Sequence, residues 1–215
     1  MATEAENGTG DSSIIKTVDS SGQRLWSSFW EEDEDDVDEF TEEELANDPS
    51  KRILWAAELN KMDVAQDILR HDPKLVMSRD GDQYTPLHRA AYNDHTEMAE
   101  FLLSNGAEVG ARTYDGWQPL HSAARWNSVA TAQSLVHAGA DINAQTNGGL
   151  TPLHLASSEP DNRQMMELLL MSPFLCPDLK SAVGETARTV ALRCSRHYKL
   201  FELLDDCVNV LKPSS

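Results

Sequence analysis

The chain has 215 residues, enough for one or two ordinary domains, with 36 acidic and 18 basic side chains and a formal net charge of −18. Duplex nucleic acid and anionic membranes are poorly matched to such a surface, because phosphate binding needs clustered Lys and Arg; a basic protein is the better-matched partner. The first twenty residues hold no apolar run of a secretory leader, no stretch has the length of a membrane span, and Cys176, Cys194 and Cys207 fit neither a disulfide framework nor a zinc site, so a reducing nuclear or cytosolic compartment is expected.

The charge is uneven. Residues 1–47 hold 15 Asp and Glu against Lys16 and Arg24. The run Glu31-Glu32-Asp33-Glu34-Asp35-Asp36 buries too little apolar surface to offset the entropy of ordering it, so the whole segment is expected to be disordered when free. Within it, Trp26, Phe29 and Trp30 would share one side of a helix. Aromatic residues set among acids read as a linear motif that folds on a partner. A solvated tail with incidental aromatics fits the same composition, and both readings stay open.

A different pattern starts at Asp48. Asp48-Pro49 predicts a capped helix start with proline in the first turn. From there the pattern is helical and periodic. Thr85-Pro86-Leu87-His88 returns 33 residues later as Gln118-Pro119-Leu120-His121, and again after 33 as Thr151-Pro152-Leu153-His154. A glycine precedes each copy: Gly81, Gly116, and Gly148 or Gly149. A small pair follows: Ala90-Ala91, Ala123-Ala124, Ala156-Ser157. An apolar run and a closing Gly106-Ala107 or Gly139-Ala140 complete the unit. Each piece has a physical reason. Thr caps the first helix and Pro opens it, the small pair lets helices approach, the apolar run is a buried face, and the closing Gly adopts the left-handed conformation that ends a helix.

These residues resemble the ankyrin repeat, whose signature is Thr-Pro-Leu-His-x-Ala at a period of 33. The resemblance implies an all-α solenoid of helix-turn-helix units joined by β-turn fingers. Ile53 to Ala57 read as a degenerate first copy, and Gly184, Thr186-Ala187 and Ala191 as the start of a terminal one. The expected organisation is an acidic segment at 1–47, four repeats at 48–79, 80–112, 113–145 and 146–180, and capping helices at 181–215. Blocks 54–58, 84–92, 115–117 and 141–146 resemble one vertebrate member of the family especially closely, which implies a nuclear or nucleocytoplasmic regulator without catalytic activity. Two departures stand out. Gln118 replaces the capping Thr, and the fourth copy has one extra residue, Pro160 and Pro173, and no closing Gly-Ala.

No catalytic or metal constellation accompanies the repeat, so neither an enzyme nor a cofactor is expected. His88, His121 and His154 occupy one frame position; the resemblance implies that they hydrogen-bond within and between units. Leu135, Asp141, Ile142 and Asn143 resemble the pattern hydroxylated on asparagine in ankyrin proteins, which makes Asn143 a candidate substrate. Bracing of the turn by its amide is the preferred reading.

A partner is expected on the turn tips and inner helices, where frame positions vary. The candidate partner-binding residues are Trp55, Tyr84, Arg89, Tyr92, Asn93, Trp117, Arg125 and Trp126. Trp, Tyr and Arg are the types enriched at interface hot spots, and Tyr92, Arg125 and Trp126 are the strongest candidates. The bland alternative is that some of these rings pack between repeats. The function so read is a monomeric adaptor, in the setting of transcriptional regulation, with a chaperone or shield for a basic client as the alternative. The acidic segment could also fold back on Arg89 and Arg125.

Overall fold

The cap expected at Asp48 marks where the regular stack starts. The computed structural model describes residues 41–202, which fall within one unit, Phe40–Ser215. The aromatic motif Trp26, Phe29 and Trp30 lies outside the described residues. Helix α1 (Glu42–Asn47) precedes helix α2 (Pro49–Glu58). The Asp48 carboxylate between them accepts hydrogen bonds from the backbone N–H of Ser50 (2.8 Å) and Lys51 (3.4 Å), ahead of Pro49 in the first turn. Helix α1 falls inside the stretch expected to be disordered. It packs on α2 with Leu45 half-buried, so helical order begins before Asp48.

Helix pairs then follow. They are α2 with α3 (Met62–His71), α4 (Pro86–Tyr92) with α5 (Thr96–Ser104), α6 (Pro119–Arg125) with α7 (Val129–His137), and α8 (Pro152–Ser158) with α9 (Arg163–Leu170). A 3-10 turn at Pro73–Met77 follows α3, and α10 (Ala187–Cys194) starts the terminal unit. Helices α2, α4, α6, α8 and α10 pack side by side as an inner row, and α5, α7 and α9 as an outer row. A seven-residue helix such as α4 has no stability of its own, so the packing has to hold it. The small pairs do this by bringing helices together: Ala56, Ala57, Ala90, Ala91, Ala123, Ala124 and Ala156 are fully buried, with Leu87 and Leu120 between the layers. Among the described residues there is no strand, only an isolated bridge between Lys180 and Thr186.

The turn inside each of the first three pairs uses a left-handed residue: Asn60 (φ 52°), Asp94 (φ 54°) and Asn127 (φ 57°). Asn and Asp tolerate this conformation better than most residues. The fourth pair has no such residue. Pro160 stands at the corresponding place, and its ring forbids positive φ. The chain therefore leaves α8 in extended conformation at Glu159, and the extra residue carries it to Asn162.

Between pairs the chain projects fingers with one repeated design. The N–H groups of Asp80, Thr113, Thr146 and Ser181 donate to the carbonyls of Tyr84, Trp117, Leu150 and Glu185. The same four side chains accept from the N–H groups of those four residues, at 2.8 to 3.3 Å. Gly116, Gly149 and Gly184 take the left-handed position in the last three fingers. In the first, Gln83 takes it (φ 69°), and Gly81, the glycine expected there, does not. A side chain is tolerated at Gln83, whereas a Cβ at Gly116 would stand 2.6 Å from Asn147 Oδ1 and one at Gly149 would stand 2.8 Å from Ala182 N. Backbone rungs join adjacent fingers: Tyr114 N to Asp82 O (3.1 Å), Asn147 N to Asp115 O (2.9 Å) and Ala182 N to Gly148 O (2.8 Å). Side chains add a second line, as Arg79 donates to Arg112 O, Arg112 to Gln145 O and Gln145 to Lys180 O.

Candidate protein-interaction face

The inner helices are pinned at their starts. Thr85 N–H donates to His88 Nδ1 (3.2 Å), and His88 Nε2 donates to Trp117 O in the next finger (3.2 Å). His121 repeats this with Gln118 N–H on one side and with Ala144 O (3.0 Å) and Leu150 O (3.1 Å) on the other. His154 does so with Thr151 and with Glu185 O (3.1 Å). A neutral imidazole with its proton on Nε2 satisfies every one of these bonds. Burial favours that neutral form, pushing His88 down to about 3 and His121 to about 4, with His154 lowered as well. Gln118 faces the His121 N–H in the same capping arrangement as Thr85 and Thr151, but its Oε1 is buried and makes no hydrogen bond of good geometry.

At the other end of the same helices the side chains differ and meet solvent. Tyr92, the last residue of α4, and Trp126, just past α6, are 44% and 42% exposed, with ring centroids 4.6 Å apart. The Arg125 guanidinium lies 5.4 Å from the Trp126 ring centroid and forms an ion pair with Glu159 of the next repeat. The structure thus brings Tyr92, Arg125 and Trp126 together. Asn93 beside them is exposed, its amide on Arg89 O (3.3 Å).

The other candidates are more deeply engaged. Arg89 bridges Glu58 (3.1 Å) and Asp80 (2.8 Å) with its side chain only 16% exposed. Tyr84 and Trp117 are half-buried beside the frame histidines, with centroids 5.4 Å from His88 and 6.3 Å from His121. Burial and the carboxylates of Asp115, Asp80 and Asp82 raise the Tyr84 hydroxyl to about 12. Trp55 is half-buried against the core. The Tyr84 and Trp117 rings thus lie against the frame histidine of their own repeat, partly withdrawn from solvent.

The profile described as ankyrin repeats (3 copies) matches residues 53–146, and a single ankyrin repeat profile matches residues 148–179. The chain is 54% identical over 194 residues to ankyrin repeat domain-containing protein 49 of Bos taurus, spanning 87% of this chain and 81% of that one. The chain belongs to the ankyrin-repeat family. The human protein of that same name is 52% identical over 193 residues, with the same shares of each chain. The Drosophila melanogaster protein so named is 42% identical over 81 residues, 37% of this chain and 36% of its own. Ankyrin repeats form an interaction family rather than a catalytic one. Among the described residues no helix is long and apolar enough to cross a membrane, and no group of three His, Cys, Asp or Glu is placed to hold a metal ion.

Within this ankyrin stack, Asn143 braces a loop. Its Nδ2 donates to Phe174 O (2.8 Å) and its Oδ1 accepts from Cys176 N–H (2.7 Å), so both ends of the amide are used. Sequence reading missed a set of contacts made by the residues that precede the outer helices. His95 bonds Glu58 O (2.9 Å), Ser128 donates to Tyr92 O (3.1 Å), and Asn162 donates to Ala124 O (2.8 Å). Polar residues at a period of 33 or 34 were the available signal. Tyr114, 67% exposed at a finger tip, was also overlooked.

Proposed function

We propose that this chain is a non-catalytic adaptor whose repeats, divided at 48–79, 80–112, 113–145 and 146–180, bind a protein partner along the fingers and the C-terminal ends of the inner helices. The Tyr92–Trp126 pair carries this reading. Two large aromatic rings in tilted contact, each more than two-fifths exposed, form an apolar surface patch of the residue types that anchor interfaces. Arg125 and Asn93 extend the face, and Trp55, Tyr84, Arg89 and Trp117 shape its floor. The setting is nuclear, in transcriptional regulation, following the likeness to ankyrin repeat domain-containing protein 49, and the chain acts as a monomer. A hydroxylase reaching Asn143 has first to open the loop at Phe174 and Cys176.

Affinity capture from cells tests the reading. The native chain is compared with a Tyr92→Ala, Arg125→Ala, Trp126→Ala variant whose helical content is checked by circular dichroism. Loss of specific partners with the variant is expected; an unchanged partner set sinks the reading. The alternative, a shield for a basic client, is favoured by the density of acids in residues 1–47. It predicts that capture needs that segment's charge and ignores the three substitutions.

A further inference from the structure

Resting on the interaction reading above, we infer that the partner segment crossing the Tyr92–Trp126 pair presents a lysine or arginine side chain to these rings. The face already seats a cation in this way. Arg125 lies over Trp126 with Glu159 as its counter-ion, the combination of aromatic face and carboxylate that holds a guanidinium. Tyr92, the other ring, ends the helix that carries Arg89, which Glu58 and Asp80 hold as an ion-paired cluster. Burial and then the charge of Glu58 raise the Tyr92 hydroxyl, while Arg125 and Arg89 oppose them.

Charge around the rings selects the same ligand. Arg89 lies between two carboxylates, Glu58 and Asp80, so that cluster retains a net negative charge. Arg125 is matched by Glu159. Toward the start of α4, Asp115 and Asp82 add negative charge around Tyr84. An acidic segment is repelled by this field. A purely apolar one gains from the rings but draws nothing from the carboxylates. An extended Lys- or Arg-bearing segment uses both, with its stem on the rings and its charge toward the acids.

The test uses the full chain and a labelled dodecapeptide of Gly and Ser carrying three arginines, read by fluorescence anisotropy. A matched peptide carries citrulline at the same three positions, which keeps the shape and removes the charge. A Tyr92→Leu, Trp126→Leu variant keeps every charge of the protein, including the acidic segment, and loses only the rings. The arginine peptide should bind the native chain about ten-fold more tightly than the citrulline peptide, and the ring variant should lose most of that advantage. Equal binding of the arginine peptide to the native chain and the ring variant overturns the inference, because charge alone then holds the peptide. Equal binding of the two peptides overturns it too, because the seat is then apolar. The interaction reading fails separately: partners captured from cells that depend on Tyr92 and Trp126 keep it alive even when citrulline serves as well as arginine.

Discussion

The two ends of the inner helices obey different rules. At the starts of α4, α6 and α8 the same proline, leucine and histidine recur, all buried, each histidine tied to backbone of its own turn and of the next finger. At the other ends the residues change from Tyr92 to Arg125 and Trp126 to Ser158 and Glu159, and they reach solvent. The frame end repeats because its partners are peptide groups, which are identical in every copy. The far end varies because its side chains meet other side chains that differ from copy to copy, as Arg125 meets Glu159, which leaves it open to serve recognition.

Breaking the frame end should give the largest effect. His121→Ala removes two bonds to the next finger and one to the Gln118 N–H, leaving buried polar groups unpaired beside a cavity. Urea unfolding should show a loss of about 3 kcal/mol. A loss near zero would mean that the histidines are not what fixes the helix starts. Gly149→Ala comes next. Its positive φ and the 2.8 Å approach to Ala182 N leave no room for a methyl group, and thermal unfolding should register roughly 2 kcal/mol.

Acid acts on the same end more gently. In the unfolded chain the three frame histidines take up protons near 6.5, whereas in the folded chain burial holds His88 down to about 3 and His121 to about 4 and lowers His154 as well. Between those limits the unfolded state binds more protons, so stability is full above about 6.5 and falls as pH drops toward 4. Urea midpoints at pH 7.5 and 5.0 should differ in that direction, and His88→Gln should shrink the difference. Gln118→Thr should stabilise the third repeat by about 0.5–1 kcal/mol, because a hydroxyl replaces a buried amide oxygen that makes no hydrogen bond of good geometry. The smallest effect belongs to the far end. Tyr92→Leu with Trp126→Leu should shift stability by under about 1 kcal/mol while binding is lost, and a larger shift would make the rings structural.

The frame end was readable in the sequence because side chains carry it. Asp48-Pro49, the three histidines and the small pairs all act where their spacing puts them. The fingers were read less well. A glycine marks conformational freedom, not its use, so Gly81 drew attention while Gln83 took the strained position. Rungs that end on carbonyls, such as Arg79 on Arg112 O, leave no trace at the accepting residue. At the far end the sequence showed that Tyr84, Arg89, Tyr92 and Trp126 are present but not which way they turn. Arg89 is withdrawn by carboxylates 31 and 9 positions away, while Tyr92 and Trp126 stay at the surface against each other.

The finger rungs from Tyr114 to Asp82, from Asn147 to Asp115 and from Ala182 to Gly148 use peptide groups alone. A unit spliced into the stack would therefore find a donor on one side and an acceptor on the other, whatever side chains it brought. Such an array can grow or shrink by whole copies without its flanking units changing a residue, and each added copy lengthens the readable surface by one more helix end.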